Sequence, residues 1–392
     1  MLERRELKVP LSIFSICFLF AVCIVAAFAN SCSATWMIQA QECTSLADEN
    51  PNQAIRSCTA ALNSGKLSTH DVAAVYSARG VAYINLKKSQ MALEDLNQSI
   101  SVEPHVEAFN SRGIAYDMLG DYAHALQDYD EAIRLEPGNA HSYNNRGLVY
   151  SEKGDEEKAI RDFDKAISLK PDYAEPLTNR AGTYLIYGEY DKAIQDWTTD
   201  LPLEHNSPAI LHDRALAYNG KKEYSRALDD LTHAVDMMPN AAELYYARAA
   251  TYFNLGKFDL AILDCRKAIS LSPTDLYPVI WCYMMTARNG AGADVNALKL
   301  SLERRDTPWP TPVVRMFAGQ MTPEELLKAA KLEGKSSVCE ANFYIGEDAF
   351  IHNRPGDAKT LFQKAVSSGV LNSLEYFAAR AELDRMMKIQ AH

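Results

Sequence analysis

The side chains best suited to chemistry in this chain are arginines and aspartates that recur at a fixed spacing. Six arginines stand 33 or 34 residues apart, and an aspartate follows each of them after sixteen residues. A guanidinium can hold a carboxylate through two parallel hydrogen bonds, on the protein or on a ligand. The pattern predicts either structural ion pairs or a row of arginines that grips the carboxylates or phosphates of a ligand. The residues are Arg79, Arg112, Arg146, Arg180, Arg214 and Arg248, with Asp95, Asp128, Asp162, Asp196, Asp230 and Asp264.

The distribution of these residues favours ion pairs within each repeat. A partner in the preceding repeat would require an aspartate where the chain has Ser57, and a partner in the following repeat would lie beyond residue 275, where the spacing decays. The arginines and aspartates instead begin and end in the same six repeats. We therefore predict the pairs Arg79 with Asp95, Arg112 with Asp128, Arg146 with Asp162, Arg180 with Asp196, Arg214 with Asp230 and Arg248 with Asp264.

Patterns of catalysis and cofactor binding are absent from the sequence. It contains no H-E-x-x-H, no C-x-x-C, no glycine-rich phosphate loop and no G-x-S-x-G. The histidines are scattered, so we interpret His205 and His212 as surface or groove residues rather than metal ligands. The formal net charge of -11 disfavours nucleic acid as a partner. We expect no enzyme activity, no metal and no cofactor.

The elements that must position these residues follow from the same period. Six repeats are in register, each with a tyrosine at position 11 and an alanine at position 20, and most with a large apolar residue at position 24 and a proline at position 32. Positions 4, 7, 8 and 11 share one face of a first helix, and positions 20, 24 and 27 share one face of a second. The repeats span residues 73–105, 106–139, 140–173, 174–207, 208–241 and 242–275.

A helix pair of this size cannot bury both of its faces alone, so neighbouring pairs must stack. The sequence predicts an all-α fold, a right-handed superhelical solenoid with a concave inner face. In the fourth repeat, Asp200 and His205 replace a small residue and proline, and Pro202 lies between them, which predicts a second helix that ends early.

The six repeats resemble the tetratricopeptide repeat (TPR) family. That resemblance implies that positions 5 and 12 line a groove, in which we expect a protein or peptide partner to bind. An alternative is that the groove packs the C-terminal helix of the chain itself. The predicted groove residues are Asn110, Asn144, Thr178, His212 and Tyr246 at position 5, with Asp117, Ser151, Asn219 and Phe253 at position 12.

The regions on either side of the six repeats give the predicted domain organisation. Ala54, Cys58 and Ala61 match positions 20, 24 and 27, so residues 35–67 are predicted to form a partial first repeat of an array over 35–275. Residues 276–392 are predicted to form a divergent helical module whose last hairpin spans 339–368. Within that module, an extended stretch is predicted around Trp309 and Pro312.

The C-terminal module resembles that of the new-lipoprotein-I type of bacterial envelope TPR proteins. Trp281, the Trp309-Pro310 stretch, the segment 313–319, the run 340–346 and Leu374-Glu375-Tyr376 carry the resemblance. It implies an adaptor that is tethered to the outer membrane, forms a homodimer and brings peptidoglycan hydrolases to a protease. The chain departs from that family because it has no clear lipidation motif.

The first 29 residues are predicted to be a signal peptide or membrane anchor. Three basic residues precede an apolar run, and Ala27-Phe28-Ala29 places small residues at positions -3 and -1 of a cleavage site. Lipidation at Cys32 and an uncleaved anchor are the alternatives. In each case the rest of the chain is exported, and the chain touches a membrane only through this segment.

Export predicts a disulfide between Cys43 and Cys58. Cys58 lies in the second helix of the first hairpin and Cys43 in the helix before it, and an exported chain meets an oxidising compartment. The alternative is two reduced, buried thiols. Together these features predict a non-enzymatic periplasmic or envelope adaptor, with a role in cell-envelope or peptidoglycan-enzyme regulation; the alternative function is a periplasmic binder of a peptidoglycan or saccharide fragment.

Overall fold

The computed structural model of the chain describes residues 35–204, 207–290, 292–293, 295–302 and 309–390, with side chains up to residue 388. This part of the chain contains 21 helices and no strand. It divides into two compact units, unit 1 with residues 1–176 and unit 2 with residues 177–392. The predicted fold class, an all-α helical repeat, is confirmed.

Unit 1 consists of helix hairpins in which a first helix packs on a second. The first helices neighbour one another along the array, and each second helix packs on the next first helix. The four hairpins are α1 (Thr35–Leu46) with α2 (Pro51–Asn63), α3 (Thr69–Asn85) with α4 (Ser89–Val102), α5 (Val106–Met118) with α6 (Tyr122–Leu135), and α7 (Ala140–Glu152) with α8 (Glu156–Leu169).

The turn between the two helices of a repeat requires a left-handed backbone at position 15. Glycine occupies that position in four repeats, with φ between 75° and 78°, because glycine adopts positive φ without a steric penalty. In the other two repeats Lys87 and Lys222 adopt the same conformation, with φ of 58° and 62°. The turn geometry is thus kept in all six repeats. The four glycines are Gly120, Gly154, Gly188 and Gly256.

Close approach of the two helices depends on the small residue at position 8. A Cβ atom added to Gly113 would lie 2.6 Å from the ring of Tyr129, the position-24 residue of the same repeat. Tyr129 has no exposed surface, and neither has Phe163, which packs in the same way against Gly147. The paired small and large residues therefore set the distance between the helices of each hairpin.

The first hairpin carries a disulfide between Cys43 of α1 and Cys58 of α2. The two Cα atoms are 4.8 Å apart, and both side chains are fully buried. The prediction of this pair is confirmed. The bond closes a loop of 15 residues in the first described hairpin, and such a crosslink stabilises the fold by restricting the unfolded chain.

Unit 2 continues the same arrangement of hairpins. Helix α10, the second helix of the fourth repeat, has 11 residues instead of the usual 14, so it ends early as predicted. Its last residue, Asp200, is buried and accepts a hydrogen bond from Thr178. The hairpins are α9 (Ala174–Ile186, which begins at the end of unit 1) with α10 (Tyr190–Asp200), α11 (Pro208–Gly220) with α12 (Tyr224–Met237), and α13 (Ala242–Asn254) with α14 (Phe258–Leu271).

The C-terminal module of unit 2 packs around a cluster of buried aromatic side chains. Trp281, Phe343 and Phe362 belong to this cluster, which is continuous with Phe253 of α13. The helices are α15 (Leu276–Arg288), α16 (Val295–Leu302), α17 (Thr311–Phe317), α18 (Pro323–Glu333), α19 (Lys335–Ile351), α20 (Pro355–Ser367) and α21 (Leu374–Gln390).

Two expectations for the C-terminal module can be compared with these helices. The last hairpin, α19 with α20, covers the segment predicted at 339–368. The extended stretch around Pro312 is wrong in part, because α17 begins at Thr311 with Pro312 in its first turn, where a helix tolerates proline. Thr322 and Glu325 form a capping box at the start of α18.

Some predictions lie outside the described residues, namely those for the leader at 1–29, for Cys32 and for His205. Over the residues that are described, no helix has the length and apolar character needed to cross a membrane.

Candidate functional site

Each arginine of the six repeats is bound to the aspartate of its own hairpin. In all six pairs the arginine Nε donates to Oδ2 at 2.6–2.8 Å and Nη2 donates to Oδ1 at 2.7–2.8 Å. The aspartates are buried, with 3–8% of their surface exposed. The structure therefore contains the pairs predicted from the sequence, and the alternative of a ligand-gripping arginine row is wrong.

A third donor of the arginines links neighbouring hairpins, which the sequence reasoning missed. Nη1 of Arg79 donates to Thr59 at 2.9 Å, Nη1 of Arg112 to Asn97 at 2.7 Å, and Nη1 of Arg146 to Asp130 at 2.6 Å. Each acceptor stands at position 25 of the preceding hairpin. The sequence contains a pattern that could have predicted this contact, because position 25 always holds a side chain that can accept a hydrogen bond. These residues are Thr59, Asn97, Asp130, Asp164, Thr198 and Thr232.

The candidate partner site in unit 1 is the surface of α3, α5 and α7 that points away from the second helices, here called the first-helix face. Asn110 donates from Nδ2 to Oγ of Ser142 at 2.9 Å, which joins α5 to α7. Asn144 is fully buried and donates to the hydroxyl of Tyr173 at 3.3 Å. Of these two predicted groove residues, Asn110 thus forms a hydrogen bond between repeats and Asn144 one within its own repeat.

Acidic side chains stand at the ends of the helices on this face. Asp117, a predicted groove residue, is buried at the end of α5, while Glu152 is exposed at the end of α7. Ser151, the other predicted groove residue here, is half-buried. His141 at the start of α7 is half-buried, and burial followed by the charge of Lys170 lowers its pKa to about 4, so it is neutral at pH 7. The helix ends of this face thus carry two carboxylates, with Lys153 next to Glu152 and Lys170 near His141.

The corresponding face of unit 2 is covered by the C-terminal helix. Helix α21 packs on α11 and α13 as well as on α19 and α20, and its small residues Ala378, Ala379 and Ala381 are buried. The alternative that the groove packs the chain's own C-terminal helix therefore applies to unit 2.

Four of the five predicted groove residues in unit 2 serve the interior of the protein. Phe253 is fully buried, with its ring centroid 5.3 Å from that of Trp281. Tyr246 donates its hydroxyl to Glu375 of α21 at 3.3 Å, and the buried Asn219 donates to Thr251 at 2.9 Å. Their prediction as partner contacts is wrong, because Tyr246 and Phe253 contact α21 or the aromatic cluster and Asn219 is bonded between α11 and α13. Thr178, which is bonded to Asp200, is the fourth interior residue. His212 is the exception: it is half-buried, with Nδ1 3.0 Å from Asp213.

Arginines of α21 bind the ends of the first helices in unit 2. Arg380 donates to the carbonyl of Gly220 at 3.0 Å, at the end of α11. Arg385 donates to the carbonyls of Phe253 and Asn254 at 3.0 and 2.9 Å, at the end of α13. The last carbonyls of a helix have no partner within the helix and carry partial negative charge. A guanidinium supplies both a hydrogen-bond donor and a positive charge to them.

Glu340 of α19 is a buried carboxylate that forms no ion pair within the described part of the chain. Glu340 accepts hydrogen bonds from Nε1 of Trp309 at 2.8 Å and from the hydroxyl of Tyr277 at 3.1 Å. Burial, followed by the negative charge of Glu375, raises the pKa of Glu340 to about 7 from its ordinary value of 4.5. The folded protein therefore binds a proton here at a pH at which the unfolded chain has lost it.

The shifted pKa of Glu340 predicts that stability falls as the pH rises. Between pH 4.5 and about 7 the folded chain binds more protons at this residue than the unfolded chain, so the free energy of unfolding decreases with pH over that range. Glu340→Gln keeps an oxygen that can accept from Trp309 and Tyr277, and we expect it to remove on the order of 2 kcal/mol of this dependence. Urea unfolding of both proteins at pH values near the two limits measures the difference.

The control for this experiment is Glu333→Gln, which removes an exposed carboxylate at the end of α18. It should leave the pH dependence of the wild-type chain unchanged. Identical slopes for the wild-type chain and Glu340→Gln would contradict the assignment.

A second cluster of buried charges joins α15, α19 and α21. Arg288, the last residue of α15, donates to Glu347 at 2.8 Å and to Glu382 of α21 at 3.2 Å. Both glutamates are almost fully buried, and the guanidinium lies 4.0 Å from the ring centroid of Phe350. Arg288 thus bridges two carboxylates from different helices, and Arg385 of α21 also donates to Glu382. Within the described residues, no group of three or more histidine, cysteine, aspartate or glutamate side chains is arranged to hold a metal ion.

Family comparison identifies the repeats. The tetratricopeptide repeat model matches residues 106–139, 140–173 and 242–275, and a second tetratricopeptide repeat model matches residues 73–105. These four stretches have the bounds predicted from the sequence for the first, second, third and sixth repeats. The chain therefore contains tetratricopeptide repeats. No curated protein sequence matches it.

Solved structures with a similar course of the chain are also tetratricopeptide or repeat proteins. A tetratricopeptide repeat protein from Parabacteroides merdae is 20% identical, with 64% of this chain and 99% of that one covered and a TM-score of 0.49. PilF of Pseudomonas aeruginosa is 18% identical, with 54% and 96% covered and a TM-score of 0.48. YrrB, described as a TPR protein with an unusual peptide-binding site, is 18% identical, with 48% and 97% covered and a TM-score of 0.41.

Proposed function

We propose that this array of tetratricopeptide repeats is a non-enzymatic adaptor that binds a protein partner on the first-helix face of unit 1. One observation carries the proposal. In unit 2 a helix, α21, lies on α11 and α13, whereas within residues 35–176 the described helices that pack on α5 and α7 are neighbours in the array. The same kind of surface is thus filled in one unit and left uncovered by its own described helices in the other.

The proposed location of the adaptor is the bacterial periplasm or cell envelope. The disulfide between Cys43 and Cys58 supports export, because such bonds persist in oxidising compartments. The apolar leader at 1–29 supports it as well. The resemblance of the C-terminal module to the new-lipoprotein-I type supports a role beside peptidoglycan enzymes, as an adaptor that forms dimers.

Site-specific photocrosslinking in cells that make the full chain tests this proposal. A photoreactive residue at Asn110 or Ser151 lies on the first-helix face, and we expect it to form a covalent adduct with a partner protein. The same residue at Glu94 of α4 or Glu157 of α8 lies on exposed surface of the second helices and should give no such adduct. Peptides of a second protein in the adduct, found by mass spectrometry, identify a protein partner.

Two results would contradict the adaptor proposal. Equal adducts from both sets of positions would show that the face has no special role. Adducts that contain no peptides of a second protein but disappear on digestion with a peptidoglycan hydrolase would favour the alternative function, binding of a saccharide fragment.

A further inference from the structure

The way α21 binds in unit 2 shows what chemistry the ends of the first helices accept. Arg380 and Arg385 are five residues apart, which corresponds to about 7.5 Å along a helix. Adjacent packed helices are about 8–10 Å apart. The spacing therefore lets one helix place a guanidinium on the end of α11 and another on the end of α13, as observed.

The first helices of unit 1 end in the same geometry. In α5 the turn amides of Gly120 and Asp121 donate to the carbonyls of positions 12 and 11, at 2.8 and 2.9 Å. In α11 the amides of Lys222 and Glu223 do the same at 3.0 and 2.9 Å. The next carbonyl, at position 13, is the one that Arg380 binds in α11, and its equivalent in α5 is that of Met118.

The ends of the first helices α5 and α7 in unit 1 carry acidic side chains, whereas the ends of α11 and α13 in unit 2 carry none. Positions 12 and 13 hold neutral residues in α11 and α13, but Asp117 stands at position 12 of α5 and Glu152 at position 13 of α7. Across residues 35–176 there are 22 aspartates and glutamates against 13 lysines and arginines, and three of those arginines are held in the hairpin ion pairs. A cation at these helix ends would be bound more strongly than in unit 2.

We propose that the first-helix face of unit 1 binds a basic segment of a partner protein, with arginines about five residues apart in a helix that bind the ends of α5 and α7. This inference rests on the proposed function and adds the chemistry of the partner. The charge complementarity and the arrangement of α21 on α11 and α13 both point to that occupant. Helix α21 itself is not the occupant, because Arg380 and Arg385 are bound to the ends of α11 and α13.

The test uses a helical peptide of alanine and glutamine that carries two arginines five residues apart, titrated into the full chain at about 150 mM salt, where unspecific charge attraction is screened. One control peptide has both arginines replaced by glutamine, and another has them on adjacent residues. We expect the first peptide to bind at least about tenfold more tightly than either control.

Variants of the chain locate the binding. Asp117→Asn with Glu152→Gln should weaken binding of the arginine peptide by about tenfold or more. Glu94→Gln with Glu157→Gln changes the net charge equally on the second helices and should leave the affinity within about twofold. Because Asp117 is buried, Glu152→Gln alone is also measured, since this exposed residue can change without disturbing the fold, and it should lower the affinity by itself.

Equal effects of the two double variants, no effect of Glu152→Gln, or no preference for the five-residue spacing would overturn this inference. If the peptide fails to bind while Asn110 and Ser151 still crosslink a protein, the adaptor proposal stands and the basic character of its partner does not. If the peptide binds and those positions crosslink nothing in cells, the adaptor proposal fails instead.

Discussion

Replacement of Arg288 by methionine should lower the free energy of unfolding of unit 2 by about 3–5 kcal/mol. Methionine fills a similar volume, but it removes the arginine bound to Glu347 and one of the two arginines bound to Glu382, the other being Arg385. Both glutamates are almost fully buried. A buried carboxylate that loses its partner must either remain charged in an apolar setting or take up a proton. Equilibrium urea unfolding, followed by circular dichroism, measures the loss.

The pH dependence of the same variant distinguishes lost charge pairing from lost packing. Burial already raises the pKa of Glu347 to about 7 while Arg288 opposes that shift, so removal of Arg288 must raise it further. The loss should therefore be larger at high pH, where the carboxylate is charged, than near pH 5. Arg226→Met is the matched control, because Arg226 pairs with Glu223 at 66% exposure and should cost less than about 1 kcal/mol. A loss that does not change with pH would show that packing against Phe350 dominates.

In the hairpin ion pairs, we expect a single replacement to cost more than a double one. Arg248→Met leaves the buried Asp264 without its two hydrogen bonds, at 2.7 and 2.8 Å, and should destabilise the hairpin of α13 and α14 by about 3 kcal/mol. Arg248→Met with Asp264→Leu removes both charges and should cost much less. Hydrogen exchange of the amides in α13 and α14, together with urea unfolding, measures this cycle.

The pair of Arg146 and Asp162 provides the comparison. Arg146 also donates to Asp130 of the preceding hairpin at 2.6 Å, so its replacement should loosen α6 as well as α7 and α8. Additive losses in the Arg248 and Asp264 cycle would contradict the account of the pair as one coupled unit.

Prediction from the sequence succeeded best for residues that are stable in only one kind of contact. Arginine at position 7 of a packed helix is stable only beside a carboxylate, so the coincidence of Arg79 and Asp95 in the same repeat was enough to predict the contact. Cys43 and Cys58 were similarly constrained, because a short turn between two helices brings them together. The period of 34 residues likewise predicted the positions of the helices.

The contacts of α21 could not be read from the sequence, because they depend on long-range packing. Nothing in the spacing of Arg380 or Arg385 shows that their acceptors are backbone carbonyls more than 100 residues earlier. The burial of Phe253 has the same cause: a groove position in one repeat becomes interior when a distant helix lies on it. The acceptors at position 25, by contrast, were regular in the sequence and could have been found.

The hydrogen bond from Arg79 to the preceding hairpin affects how the array unfolds. In a linear array, opening an internal hairpin breaks two interfaces and opening a terminal one breaks only one, so loss of structure normally starts at the ends. Arg79 binds α2 through Thr59, and Cys43 joins α1 to α2 covalently, so release of the first hairpin must break this hydrogen bond and leaves α1 and α2 linked. Fraying at this end of the array is therefore opposed by one bond between hairpins and one within the first hairpin.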